Sequence, residues 1–328
     1  MNSSQHNISV FLSIGAGPVI TGYTCVFLFG ILGHFYLYWK NHQRRHRTNS
    51  FSDVLFRHLM ITEEVFTLTV PVWAYHLTTH GNLPGSWCRS LTFVFYLTVF
   101  ARAFFYLLLI WDRYSVIICR HPLPVNLNYS QVIGLSVWLV AVLSASPFSI
   151  FNGSVKQCLG NMGSIPSESS AVLNLEVHLC SFWLPLIMSA NCYYQAKRRA
   201  SPDQLHELYR CSLLITIITT YAIVWFPFHL ALLIDALISI SHVEPSSALH
   251  WASIVVTCKS FTFVYAGISP LVYFTCCPTV RRELLMSLRP FFTWISSKTR
   301  RGYAPIKTQP LNIPDEPIDN KSPHLLNE

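Results

Sequence analysis

CRSLTFVFYLTVFARAFFYLLLIWDRYSVI, residues 88–117, decides the fold. Between Arg89 and Asp112 it holds a single charged side chain, Arg102. The run exceeds the roughly 20 residues that a helix rising about 1.5 Å per residue needs to cross a bilayer. Further long apolar stretches flank it: 13–39 and 53–77 before it, and 131–151, 172–196, 208–240 and 248–274 after it. The whole chain matches its parts: of 328 residues 52% are hydrophobic and 12% charged, about half the charge of an average soluble domain. A soluble fold cannot hide that much apolar surface, whereas a bilayer makes hiding it unnecessary. The expected fold class is an all-α membrane protein, a bundle of seven transmembrane helices.

An odd number of spans puts the termini on opposite sides. The net charge of +8 suggests nucleic acid at first sight, but its distribution follows membrane topology instead. All Lys and Arg residues except Arg89, Arg102, Lys156 and Lys259 lie in or beside the first, third and fifth connections or the C-terminal tail. The N-terminus is therefore expected outside and the tail inside. The first ten residues carry no Lys or Arg, so no signal-peptide n-region is visible and insertion falls to the first long helix. Asn2, Asn7 and Asn152 head N-x-Ser/Thr sequons on the expected outer side, where glycosylation is possible. Asn128 and Asn320 also fit the sequon but fall inside. Cys88 opens the third span on the outer side and Cys158 lies in the second outer loop. A disulfide between them would pin that loop to the top of the third helix. Nothing suggests an enzyme, a cofactor or a metal: no ligand cluster, phosphate-binding glycine loop or nucleophile–base pair stands out. No internal repeat marks a transporter.

Residues 33–288 resemble class A (rhodopsin-like) G-protein-coupled receptors motif by motif. Asp112-Arg113-Tyr114 closes the third span, Trp138 marks the fourth, and Pro185 followed by Tyr193 the fifth. Val224-Trp225-Phe226-Pro227 resembles Cys-Trp-x-Pro with Val for Cys, and Ser269-Pro270-Leu271-Val272-Tyr273 resembles Asn-Pro-x-x-Tyr with Ser for Asn. Thr69-Val70-Pro71 with Trp73, and the segment 225–235, resemble the chemokine-receptor branch and its herpesvirus-encoded homologues. The N-terminus departs from that branch, since it has no Asp, Glu, Tyr or Cys before the first span.

The resemblance implies roles. Arg113, paired with Asp112 and held by Glu207 across the bundle, would clamp the third and sixth helices; opening the clamp would expose it to a heterotrimeric G protein. Glu207 facing the cytosol in a charged loop is the competing reading. Pro227 and Pro270 each remove a backbone hydrogen bond and would act as hinges, with Trp225 as the lever. Tyr193 and Tyr273 would meet Arg113 in the active bundle. The implied partners are the lipid bilayer, a heterotrimeric G protein, arrestin, and a chemokine or other peptide ligand. A chemokine-scavenging decoy receptor is the alternative function.

Two ionisable residues lie deep in spans, where charge is costly. Arg102 sits about 16 Å above Arg113, and Glu63 about 15 Å above the inner start of its helix. They are at one level, on helices that are neighbours in the family. At the Glu63 position the family usually has Asp beside a bound sodium ion. An intramembrane ion pair Glu63–Arg102 is expected in its place, and with it insensitivity to sodium; Arg102 snorkelling in lipid is the alternative. His34 and Ser269 replace Asn residues lining the same region. Lys259 raises the opsin alternative, but the opsin lysine sits one turn further in, where this chain has Phe263. Lys259 would instead favour an acidic ligand group, in an outer cavity that Trp73, Phe95, Tyr96, His229 and Asp235 could line. The expected organisation is an extracellular N-terminus (1–12), the bundle (13–275), a membrane-surface amphipathic eighth helix (276–297) with Cys276 and Cys277 as palmitoylation candidates, and a disordered tail (298–328). The expected location is the plasma membrane, with ligand-independent signalling a possibility.

Overall fold

The computed structural model describes residues 16–44, 50–78, 85–118, 120, 126–150, 167–199, 205–241 and 248–302. Asn2, Asn7, Asn152 and Cys158 lie outside the described residues. So does the side chain of Glu207, although its backbone is helical. The first four spans are the helices Ala16–Arg44, Phe51–Thr78, Gly85–Ile118 and Leu127–Ile150. The fifth runs as Ser167–Val177, a π-helical stretch His178–Trp183 and Leu184–Arg199. The sixth is Leu205–Ser241, and the seventh comprises Ala248–Thr262 and Tyr265–Cys276. The protein is thus a seven-helix bundle. Six spans are apolar enough to cross a membrane by length and composition alone. The exception is Phe51–Thr78, which carries Glu63 and Glu64.

The third span is the axle, packing against the second, fourth, fifth and sixth, while the first span closes the ring between the second and the seventh. Large apolar side chains recur at helical spacing on exposed faces, such as Leu28, Leu32 and Phe35 on the first span and Leu135, Leu139 and Leu143 on the fourth. Hydrocarbon is the only surrounding in which such stripes cost nothing. The interior carries the polarity instead: His34, Glu63, Thr67, Arg102 and Ser269 are all buried.

Two glycines let the first span approach the seventh closely. A Cβ on Gly33 would lie 2.5 Å from Pro270 Cβ, and one on Gly30 would lie 2.8 Å from the Ala266 carbonyl oxygen. The first span therefore touches the seventh at its proline.

Both irregular spans trace to proline, which cannot donate to the carbonyl four residues earlier. Upstream of Pro270 the chain tightens to three-residue bonds, Phe263 N–H to Ser260 O at 3.3 Å and Ala266 N–H to Phe263 O at 3.1 Å, and the seventh span breaks there instead of running unbroken over 248–274. Upstream of Pro185 the fifth span widens into its π turn, which buries His178, Ser181 and Phe182. The last helix is Pro278–Gly302, so it runs past the expected boundary at 297.

Candidate functional site

The polar centre is built from Glu63 on the second span and Arg102 on the third. Arg102 Nε donates to Glu63 Oε1 at 2.6 Å and Nη2 to Oε2 at 3.0 Å. The two side chains are 0% and 2% exposed. This is a two-pronged, charge-assisted contact of the strong kind. Four rings surround the guanidinium carbon: Phe66 at 4.9 Å, Trp225 and Tyr265 at 5.2 Å, and Tyr221 at 5.6 Å. Beside it the Tyr106 and Tyr265 hydroxyls lie 2.9 Å apart. His34 Nε2 meets Ser269 Oγ at 2.7 Å, and its Nδ1 lies 3.4 Å from Thr67 Oγ1. The first, second, third, sixth and seventh spans therefore meet at one polar knot.

Sequence reasoning did not single out Phe66, Tyr106, Tyr221 or Tyr265. Spacing carried a signal for two of them: Tyr106 is one turn from Arg102, and Tyr221 one turn from Trp225.

Trp225 forms the roof of the knot. It is fully buried, with ring centres 5.2 Å from Tyr221 and 5.8 Å from Phe66 and Phe95. Pro227 lies two residues on, inside the same helix.

At the end of the bundle where Arg113 lies, its Nε donates to Asp112 Oδ2 at 3.0 Å. Its Nη2 bonds the same oxygen and also Ser52 Oγ, the latter at 2.8 Å. Arg113 borders a cavity of about 260 Å³ that Tyr273, Phe56, Leu109, Tyr209 and Val280 also line. Tyr273 is buried edge-on to Phe56, with ring centres 5.3 Å apart. Tyr193 and Tyr114 are half-buried, and Tyr114 stacks on Trp111. The cavity is large enough to admit a side chain or two from a partner helix, and it presents a guanidinium to whatever enters.

Near the other end, Cys88 is buried and disulfide-bonded; Cys158, the partner expected for it, lies outside the described residues. The expected ligand-pocket residues fall into separate groups. Lys259 Nζ lies over Phe95 at 4.4 Å, Trp73 at 4.7 Å and Tyr96 at 5.6 Å. His229 packs instead on Phe182 at 4.7 Å and His178 at 5.8 Å. Asp235 makes hydrogen bonds elsewhere: its carboxylate accepts from Asn174 Nδ2 at 2.8 Å and Trp251 Nε1 at 2.9 Å. Asn174, His178 and Trp251 are neighbours of these residues that the sequence did not announce. Phe263, at the opsin-lysine position, packs 5.5 Å from both Phe66 and Trp73.

Comparison with known proteins agrees with this architecture. Envelope protein US28 of human cytomegalovirus (strain Merlin) is 29% identical over 274 residues, which are 82% of this chain and 76% of that protein. Its counterpart in strain AD169, named G-protein coupled receptor homolog US28, matches to the same extent. CX3C chemokine receptor 1 of Rattus norvegicus is 26% identical over 274 residues, 81% of this chain and 74% of the receptor. The family model described as 7 transmembrane receptor (rhodopsin family) matches residues 35–273. With seven helices around a buried Arg102 and Arg113 at one end, the chain belongs to the rhodopsin family of seven-transmembrane receptors, and within it resembles the chemokine receptors.

Proposed function

We propose that this receptor sits in the plasma membrane with its N-terminus outside and couples to heterotrimeric G proteins through Arg113. The observation that carries the reading is the cavity at the Arg113 end. It is bordered by Arg113 and Tyr273, on the side where the Lys and Arg residues collect. Asp112 and Ser52 hold the guanidinium at rest. Outward movement of the sixth span about Pro227, with Trp225 as its lever, widens the cavity and frees Arg113 for the C-terminal helix of a G protein. Arrestin would use the same opened face. The ligand is a chemokine or other peptide, in keeping with the names of its relatives, and it acts from the Cys88 end. The unusual polar knot lowers the dependence on ligand, so signalling without ligand is part of the proposal.

The test is G-protein activation in cells at matched surface levels, without ligand and with a panel of chemokines. Wild type activates and Arg113→Ala does not. Activation that survives Arg113→Ala refutes the assignment of the coupling residue.

A further inference from the structure

Lys259 is 4% exposed and its ammonium has crossed to the second and third spans, where it faces the rings of Trp73, Phe95 and Tyr96. Aromatic faces attract a cation, yet they leave its three N–H donors without conventional acceptors. Among the described residues no hydrogen bond or ion pair reaches Lys259 Nζ. Two carboxylates of the spans are held by other groups. Glu63 is held by Arg102, and both oxygens of Asp235 are taken by Asn174 and Trp251. Glu176, on the fifth span, makes no ion pair with Lys259.

An unpaired ammonium in an apolar interior is a destabilising feature. A fold retains such a feature most readily where function uses it. The surroundings specify what would use it. Phe95, Phe228, Trp225 and Phe263 continue the aromatic wall inward from Lys259, with successive ring centres 5.8–6.1 Å apart. A ligand there needs an acceptor-rich anionic end for the ammonium and an apolar or aromatic body for the wall. A cationic ligand group would meet an uncompensated positive charge.

We propose that Lys259 anchors the carboxylate of an amphiphilic ligand, whose apolar body lies against the Trp73–Phe95 wall. The inference rests on the receptor reading for its signalling consequence, but binding itself does not require it. A carboxylate of this kind could come from a peptide C-terminus or from a fatty acid.

The test uses the purified full chain in lipid nanodiscs, reading thermal unfolding. A matched series of 2-naphthylacetate, its amide and 2-naphthylethylamine isolates the charge. Laurate, and an aromatic peptide as free acid or C-terminal amide, separate the two sources. At least one acid is expected to raise the unfolding temperature of wild type and Lys259→Arg where its neutral or cationic partner does not. In Lys259→Gln the acid's half-saturation weakens roughly ten- to hundredfold, as for loss of a charged hydrogen bond. Without ligand, Lys259→Met unfolds at a higher temperature than wild type, because it removes an unpaired charge. The proposal is overturned if no acid in the set outperforms its amide, if Lys259→Gln responds as wild type does, or if Lys259→Met is less stable than wild type. The Arg113→Ala receptor separates this result from the receptor reading: it keeps the acid-dependent rise in unfolding temperature whether or not its G-protein activation is lost.

Discussion

Removing one partner of the Glu63–Arg102 pair is the perturbation whose size the structure defines best. Both groups are almost completely buried and share two hydrogen bonds of 2.6 and 3.0 Å. Glu63→Gln strands a guanidinium and Arg102→Gln strands a carboxylate. A stranded buried charge costs about 3–5 kcal/mol. Arg102→Gln should fall at the upper end, because the guanidinium also faces four rings, each contact contributing about 0.5–2 kcal/mol. An ordinary hydrogen bond between membrane helices averages only about 0.6 kcal/mol. The two cases are therefore well separated. At about 2–4 °C per kcal/mol, each single substitution should lower the apparent unfolding temperature in nanodiscs by on the order of 10 °C. The double variant Glu63→Gln with Arg102→Gln removes both charges and should lie well above the sum of the singles, with a coupling of about 3 kcal/mol. Thiol labelling of the buried Cys192 and Cys211 reports unfolding directly. Additive losses, or single losses near 1 °C, would refute a charged pair as the bundle's central tie.

Sodium should leave wild type untouched, since Arg102 already supplies the positive charge at Glu63. Arg102→Ser should become more stable in sodium chloride than in choline chloride, and a sodium-dependent shift in wild type would count against the substitution of ion by guanidinium. Gly33→Ala forces a Cβ to within 2.5 Å of Pro270 Cβ, so it should cost about 1–3 kcal/mol and reduce surface expression. Gly22→Ala meets nothing within 4 Å and should stabilise its helix by about 0.5–1 kcal/mol; equal behaviour of the two variants would contradict the packing of the first span on the seventh. Ser52→Ala removes the 2.8 Å restraint on Arg113 Nη2. At about 1 kcal/mol it should raise basal G-protein activation up to roughly fivefold, and a fall in basal activation would show that Ser52 supports the active arrangement instead.

How much of this was legible before the fold was known depends on the physics each feature obeys. The spans were, because apolar length is a property of the chain alone. So was the common level of Glu63 and Arg102, because helical rise converts residue number into depth. What surrounds them was not. Phe66, Tyr221 and Tyr265 close around Arg102 only because of how three other helices are rotated, and that rotation is set by packing between spans. Pro270 announced a hinge without saying that its span would break, and Pro185, which marked the fifth span, gave no notice of the π turn before it. Asp235 read as an open pocket carboxylate because neither Asn174 nor Trp251 marks itself in sequence as its donor.

The rotation that sequence could not supply is what gives the bundle a route between its ends. Lys259 touches Phe95, Phe95 touches Trp225, and Trp225 faces the Arg102 guanidinium. Below Arg102, Tyr106 meets Tyr265, on the half of the seventh span that ends with Tyr273 at the Arg113 cavity. Spatial continuity by itself does not establish coupling; an element with two arrangements that both ends can bias is also needed. Trp225 is the candidate for that element, since Pro227 weakens its helix just beyond it. A tethered guanidinium differs from a mobile ion in one respect that matters here. An ion can leave when the sixth span moves, whereas Arg102 stays and keeps its attraction for the Trp225 ring. On the proposed lever role of Trp225, the energy separating its two arrangements would be set by covalent structure instead of by ion concentration. That makes the resting balance of this receptor a property of its own side chains.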